Sequence, residues 1–218
     1  MTGVQTCALP ISSVAASPRH RFITVYGRTP VLEALRDDSL VIDKVLLAEQ
    51  ARGRPVDEIA SAADRRGVPV RRASADRIKK LAGNGRHDQG VLADVVAPRM
   101  RVLAEVMQDQ QARHALHRVV LVDGVTTPAN LGMILRTATA AGMDAVVVPR
   151  RGVADLDPLV VKASAGVAFQ APILHCSTAA EAAKTLAEAG VRLVGLSASA
   201  PESLFDAAHA LVQRLFAE

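Results

Sequence analysis

The chain has 218 residues, half of them hydrophobic, so it is long enough for one large domain or two small ones with buried cores. A formal net charge of +4 favours anionic partners only weakly. Cys7 and Cys176 lie far apart and beside no pair of histidines, which argues against a disulfide framework and a zinc site and favours a reducing, cytoplasmic setting. No apolar run approaches the roughly 18 residues of a membrane span, so no membrane partner is predicted.

The first twenty residues do not read as part of a fold. Residues 2–12, TGVQTCALPIS, resemble the in-frame translation of a sequencing-library adapter. The segment lacks the basic start of a secretory signal peptide, and Pro10 interrupts its short apolar stretch. We therefore expect residues 1–20 to be disordered and artefactual.

Residues 21–98 alternate between helix and strand patterns. Thr29 and Pro30 are typical of a helix start, with a capping side chain followed by proline in the first turn. Gly67 ends a second helix. The alternation predicts a small α/β domain that ends at Pro98. Its predicted helices are 29–35, 55–66 and 74–81, and its predicted strands are 44–48, 68–71 and 91–96.

Positive charge is concentrated in this first domain. Residues 52–99 carry eleven Lys or Arg against six Asp or Glu, a net charge of +5. That excess favours binding to a polyanion, although a solvated helix face explains Arg65–Arg66 and Lys79–Lys80 equally well. The loop 83–90 is rich in glycine and in hydrogen-bond donors, which suits contacts to phosphates or bases.

Residues 99–116 are predicted to form a helix and a linker, and residues 117–218 a second domain. Strands alternating with helices there indicate a mostly parallel sheet. The fold class is therefore α/β throughout. The predicted strands are 117–123, 144–149, 172–174 and 191–196, and the predicted helices are 128–141, 157–164, 178–190 and 207–216.

The junction between the strand at 117–123 and the following helix carries the clearest chemical signal. Asn130 lies near the helix start, where free backbone N–H groups favour an anion. Gly132 permits close approach of another group, and Arg136, four residues later, lies on the same helix face. Each residue alone also has an ordinary interpretation: Asn130 as a cap, Gly132 as a packing glycine and Arg136 as a surface charge. Leu131, Leu135 and Ala138 form the stripe expected to face the core.

With Asp-Gly-Val-Thr before it, the Asn130-x-Gly132-x-x-x-Arg136 element resembles the first motif of the SpoU–TrmH family of RNA ribose methyltransferases. Residues 27–35, GRTPVLEAL, look like the opening of the family's RNA-binding domain. Residues 87–90, HDQG, resemble its His-Gln-Gly element with one residue inserted. Residues 162–166, KASAG, match a Lys-x-Ser-x-Gly segment of its catalytic domain. The resemblance runs from about Val25 to Phe205.

The resemblance implies methyl transfer from S-adenosylmethionine to a ribose 2′-hydroxyl by a domain of the knotted type. It places Arg136 and Asn130 at the substrate hydroxyl and its neighbouring phosphate. An arginine is a poor general base because its guanidinium stays protonated, so we expect Arg136 to clamp phosphate and leave proton removal unassigned. Large-subunit ribosomal RNA is the expected substrate, with transfer RNA the next candidate, and a homodimer is the expected assembly. The residues expected to contact RNA are Arg28, Arg86, His87, Gln89, Gly132, Lys162 and Ser164.

The end of the chain departs from the family pattern. The family's second and third motifs, Asn-x-Glu-Gly and Asn-x-Ser-x-Ala, are expected after residue 205 and are not found. We therefore expect a truncated catalytic domain without the knot-forming segment and with an incomplete cofactor pocket. Leu196 and Ser197 are the remaining candidates for cofactor contacts.

Other functions fit less well. No Gly-x-Gly-x-x-Gly follows a strand, which disfavours a dinucleotide-binding enzyme. Residues 195–199, GLSAS, lack the second glycine of a hydrolase nucleophile elbow. The histidines show no metal-ligand spacing, and no metal is predicted. The alternative that stays open is a non-catalytic RNA-binding protein.

Overall fold

The computed structural model describes residues 21–83 and 88–196, together with Ser199, Pro201, Ser203 and Asp206. The adapter-like segment, residues 84–87 and the predicted helix at 207–216 lie outside the described residues. The chain divides into two compact units, one that ends at Ala182 and one that begins at Ala183. Both sheets belong to the first unit.

The first sheet is mixed and carries three helices. Its elements are β1 (Phe22–Tyr26), α1 (Arg28–Arg36), β2 (Ile42–Ala48), α2 (Arg54–Arg65), β3 (Val70–Ala73), α3 (Ala75–Ala82) and β4 (Val91–Val96). The strand order is β1-β4-β2-β3. Strand β4 is antiparallel to β1 and β2, whereas β3 joins β2 in parallel. The predicted small α/β domain is therefore present.

Apolar residues at helical spacing explain why α2 packs as it does. Val56, Ile59 and Ala63 recur three or four residues apart, and all three are buried. Pro55 lies in the first turn, where a missing N–H removes no intrahelical hydrogen bond. These are the signals that predicted the helix at 55–66, and the structure confirms it within one residue at each end.

The second sheet is parallel throughout. Its elements and helices are β5 (Arg101–Val102), α4 (Leu103–Gln108), α5 (Gln110–His114), β6 (Val119–Leu121), α6 (Pro128–Ala140), β7 (Ala145–Pro149), α7 (Pro158–Ala163), a 3₁₀ helix (Val167–Phe169), β8 (Ile173–Cys176) and α8 (Ala179–Glu188). The strand order is β5-β8-β7-β6. All five residues of β7 are buried, as expected of a central strand in a parallel sheet. The predicted parallel sheet is confirmed.

Two strands escaped the sequence prediction. Strand β1 pairs with β4 and buries Ile23 and Val25 on alternate positions. The segment 99–116 is more than a helix and a linker, because β5 pairs in parallel with β8 at the edge of the second sheet.

The strand predicted at 191–196 is wrong. These residues have no regular structure, and the side chains of Leu193, Val194 and Leu196 are 45%, 61% and 75% exposed. A strand is stabilised by ladder hydrogen bonds and by packing against its neighbours, and no described strand pairs with this segment. The prediction about the knot concerns the end of the chain, where residues 207–218 lie outside the described part. Among the described helices, none has the length and apolar character needed to cross a bilayer.

Candidate functional site

The predicted strand–helix junction lies between β6 and α6. Leu121 is the last residue of β6, and Gly124 makes the following turn with a φ of +67°. Thr127 is the N-cap residue of α6, and Pro128 lies in its first turn. Asn130 is therefore an exposed residue of the first turn, at the carboxyl edge of a parallel sheet, where ligands commonly bind.

One face of α6 borders an open, mostly apolar groove of about 660 Å³. Asn130 lines this groove at one end, and Met133, which is 54% exposed, lies further along. The spacing of the α6 lining residues is helical, so the groove follows one side of the helix. The other lining residues are Val120, Gly124, Val125, Thr126, Thr127, Ile134, Thr137, Ala138, Ala141 and Met143.

Arg136 is exposed and does not line that groove. A helix has 3.6 residues per turn, so Asn130 and Arg136, six positions apart, point to different sides of α6. Among the described residues, no carboxylate lies within 4.0 Å of the Arg136 guanidinium. The guanidinium is therefore available to an anion that approaches from solvent.

The structure corrects the prediction that Gly132 contacts RNA. Gly132 is buried, and a β-carbon built on it would lie 2.6 Å from the β-carbon of Ala163 and 2.7 Å from the carbonyl oxygen of Val160. The missing side chain thus makes room for α7 rather than for a ligand. The ordinary interpretation, a packing glycine, is the one that the geometry supports.

The Lys162–Gly166 segment contains one exposed and one buried residue among those predicted to contact RNA. Lys162 is exposed at the end of α7, but Ser164 is fully buried, so the prediction that Ser164 contacts RNA is wrong. Its hydroxyl donates to the carbonyl of Val161 at 2.9 Å and accepts from the backbone N–H of Ala168 at 3.1 Å. Ser164 therefore joins α7 to the 3₁₀ helix.

Two predicted RNA contacts from the first domain meet at the start of α1. The side-chain oxygen of Gln89 accepts a hydrogen bond from the backbone N–H of Arg28 at 3.1 Å. Gln89 is exposed and has a φ of +49°, a backbone conformation uncommon outside glycine. The other predicted contacts of this loop, Arg86 and His87, lie outside the described residues.

Of the two predicted cofactor contacts, only Leu196 lies within the described residues. Leu196 is 75% exposed and lines neither the groove along α6 nor the other two well-formed cavities of the described residues, and Ser197 lies outside the described part. Within the described ranges, no cluster of three His, Cys, Asp or Glu side chains could hold a metal ion.

The sequence did not predict a contact between the domain of the first sheet and the domain of the second. The hydroxyl of Tyr26, at the end of β1, donates to Asp157 at 3.5 Å, and burial, reinforced by the Asp157 charge, raises the pKa of this phenol. Asp157 also caps α7 by accepting from the N–H groups of Leu159 and Val160. The partners are 131 residues apart, so no local pattern signals the pair.

Comparison with known proteins identifies both halves of the chain. The profile of the SpoU rRNA methylase family matches residues 117–215, and the profile for RNA 2′-O ribose methyltransferase substrate binding matches residues 24–101. The first match contains the Asn130–Arg136 element and the second contains Arg28 and Gln89.

Two similar proteins have names that specify RNA methyltransferases. A 23S rRNA (guanosine-2′-O-)-methyltransferase, RlmB, of Xanthomonas campestris is 33% identical over 83% of this chain and 72% of its own length. A putative TrmH family tRNA/rRNA methyltransferase of Staphylococcus haemolyticus is 32% identical over 81% of this chain and 70% of its own.

A solved structure, an AdoMet-bound rRNA methyltransferase from Sinorhizobium meliloti, aligns with a TM-score of 0.42 and 20% identity. The alignment covers 78% of this chain and 60% of that one. The chain thus spans less than two thirds of the length of this solved protein. With two family profiles matched in order and 33% identity to a methyltransferase over 83% of its length, the chain belongs to the SpoU family of S-adenosylmethionine-dependent RNA 2′-O-ribose methyltransferases.

Proposed function

We propose that this chain transfers a methyl group from S-adenosylmethionine to a ribose 2′-hydroxyl in large-subunit ribosomal RNA. The observation that carries the proposal is the intact Asn130–Arg136 element, exposed at the carboxyl edge of the second sheet, inside the region that the SpoU profile matches. The choice of RNA follows the Xanthomonas relative, whose name specifies 23S rRNA.

Arg136 acts on the RNA as a cation. The methyl donor is already activated, so the protein has to position the nucleophile and stabilise the charge that develops on it. A guanidinium keeps its proton and presents forked donors, which suits it to hold the phosphate beside the target ribose and to stabilise alkoxide character on the 2′-oxygen. The removal of the hydroxyl proton is left without an assigned residue.

Asn130 has a different position and a different role. Its amide lies in the first turn of α6, where the positive end of the helix dipole and free N–H groups favour an anion. An amide in this place orients the substrate hydroxyl by hydrogen bonding. Because Asn130 and Arg136 point to different sides of α6, the ribose and its phosphate would bridge the two.

Arg28, Gln89 and Lys162 complete the proposed RNA surface. All three belong to the segments that resemble the family's motifs, and Gln89 and Lys162 are exposed. Arg86 and His87 are proposed as RNA contacts from their position in the sequence alone. Polar and cationic side chains of this kind fix the register of an RNA by contacting phosphates and sugars.

An Arg136→Ala variant tests the assignment. We expect methyl transfer to fall to background while RNA affinity changes by less than about tenfold, because one phosphate contact among several is lost. Arg36→Ala, an exposed arginine on α1, is the matched control and retains activity. Full activity of the Arg136→Ala enzyme would refute the role given to Arg136.

The choice between substrates is tested by supplying unmodified 23S rRNA and transfer RNA in parallel. Methylation of 23S rRNA alone supports the proposal. Methylation of transfer RNA alone would show that transfer RNA is the substrate instead. A non-catalytic RNA-binding protein, the rival function, would bind RNA and leave both unmethylated. Calorimetric titration with S-adenosylmethionine is a second test of this rival, because a non-catalytic RNA-binding protein does not need to bind the cofactor.

A homodimer and a cytoplasmic location complete the proposal. The apolar groove along α6, with Met133 half exposed, supports a protein–protein contact on this side of the helix. Ribosomal RNA as substrate supports the cytoplasm. Light scattering of the purified chain tests the dimer, and a monomeric mass at micromolar concentration would contradict it.

A further inference from the structure

A cleft of about 590 Å³ lies between the first sheet and the carboxyl ends of β7 and β8, within the unit that ends at Ala182. Its volume falls in the range of about 300–1,000 Å³ that is typical of ligand sites. None of the residues of the Asn130–Arg136 element lines it. The cleft is therefore a second candidate site.

The floor of the cleft is polar but carries little net charge. Asp94 accepts a hydrogen bond from Thr24 at 2.7 Å and forms an ion pair with Lys44 at 2.7 Å. Burial lowers the pKa of Lys44, but hydrogen bonds to Asp94 and Asp43 outweigh burial and leave the pKa raised, so the ammonium stays charged. The Asp94 carboxylate is thus neutralised and does not repel an anion.

One wall of the cleft is cationic. Arg71 pairs in register with Leu46 on the neighbouring strand, and since register partners share a sheet face, both side chains point toward the cleft. Arg77 and Lys80 lie three residues apart on α3 and so share one helix face.

These three cations lack carboxylate partners among the described residues, none of which lies within 4.0 Å of them. Across the whole lining, six Lys or Arg face two Asp. Like charges that crowd one wall repel each other, and a bound polyanion would remove that repulsion.

The opposite wall belongs to the catalytic domain. Val148, Pro149 and His175 lie at the carboxyl ends of β7 and β8, and Arg150 follows directly. This is the same sheet edge at which β6 leads into Asn130. An RNA strand in the cleft would therefore run along the edge where the target ribose is held.

We propose that this cleft binds the phosphodiester backbone of a single-stranded segment next to the target nucleotide, with Arg71, Arg77 and Lys80 neutralising its phosphates. The inference rests on the proposed function for the identity of the polyanion. A single strand is favoured because the cleft is bounded by two walls, and flexible strands, unlike duplexes, can follow such a channel.

A triple variant tests the cleft. In R71S/R77S/K80S the slope of log affinity against log salt for a single-stranded RNA should fall by about 2, since each phosphate contact contributes about 0.7. The matched control is R36S/R54S/R65S, which removes three exposed arginines from another face, beside α1 and α2. Both variants lower the net charge equally, so general attraction to RNA changes equally. Fluorescence anisotropy between about 50 and 200 mM salt measures the slopes.

A loss of slope confined to the cleft variant supports the proposal, and equal slopes in both variants overturn it. Thermal unfolding of each variant checks that the fold is retained. If the triple variant does not fold, Lys80→Gln on the exposed face of α3 replaces it, with an expected slope change of about 0.7. Methyl transfer by the unaltered chain is measured separately. If the chain transfers no methyl group but only the cleft variant loses salt dependence of RNA binding, the proposed function is refuted and the cleft proposal stands. If the chain transfers a methyl group but both variants have equal slopes, the proposed function stands and the cleft proposal is refuted.

Discussion

A β-carbon built on Gly132 would lie 2.9 Å from the backbone nitrogen of Ser164, so α6 and α7 meet at the level of the backbone. Both residues belong to segments whose letters resemble family motifs, and both were expected to touch RNA. The contact instead shows that the two segments hold each other. Asn130 and Arg136 owe their positions on α6 to this packing.

Gly132→Ala should destabilise the protein. Alanine favours a helix by about 1 kcal/mol over glycine, but its β-carbon would overlap Ala163 and the backbone of Val160, and overpacking of this kind costs about 1–3 kcal/mol. We expect a net loss in the free energy of unfolding, measured with urea. Met133→Ala, on the open side of the same helix, is the control and should change stability little. An unchanged or raised stability of the Gly132→Ala protein would contradict the packing role.

Ser164→Ala should lower stability without lowering RNA affinity. The substitution removes the hydroxyl that accepts from Ala168 and donates to Val161, and a buried N–H left without a partner costs about 1–3 kcal/mol. Urea unfolding and RNA anisotropy on the same preparation separate the two effects. Weaker RNA binding at unchanged stability would restore the RNA contact that the structure excludes.

Tyr26 should make the protein sensitive to alkali. Burial, and then the charge of Asp157, raise its pKa above the usual value of about 10, so its contribution to stability is present below pH 10 and is lost as the pH rises through the folded pKa. Tyr26 is the only tyrosine and the chain has no tryptophan, so the near-ultraviolet absorbance of phenolate reports it alone. A midpoint at or below 10 would contradict the contact. In Tyr26→Phe this part of the alkaline loss should disappear.

Asp144 should make the stability of the protein depend on pH in the acid range. Its carboxylate accepts from the backbone N–H of Arg118 at 2.8 Å and of His117 at 3.0 Å, and these hydrogen bonds, led by that of Arg118, lower its pKa. The stabilisation is therefore present above the unfolded pKa of about 3.9 and is lost as the pH falls through the folded pKa. The urea midpoint of unfolding should fall less between neutral and acid pH in Asp144→Asn than in the unaltered chain. Parallel pH curves for the two proteins would argue against the assignment.

Local signals predicted most of the helices, because a cap, a proline in the first turn and apolar spacing all lie within a few residues of each other. Leu131, Leu135 and Ala138 are buried as the periodicity of α6 indicated. Strand β1 was not predicted, and its pairing partner β4 lies about seventy residues further along the chain. The apolar residues 191–196 suggested a strand, but strand formation depends on a neighbour that no local pattern specifies.

The site was predictable to a similar extent. The spacing of the motif indicated Asn130 and Arg136 as candidate site residues, and both are exposed at a sheet edge. A pattern of letters does not tell whether a small residue makes room for a ligand or for another helix, which is why Gly132 and Ser164 were misassigned. The cationic cleft escaped notice because Arg71 and Arg150, which line it, are almost eighty residues apart in the chain.

The most direct test of the account is to locate the transferred methyl group. The full chain is incubated with unmodified large-subunit ribosomal RNA and isotopically labelled S-adenosylmethionine, and the RNA is then digested to nucleosides for mass spectrometry. Label is expected on the ribose 2′-oxygen of one nucleoside, and the Arg136→Ala protein should leave that position unlabelled. Label on a base, or tight RNA binding with no label, would contradict it.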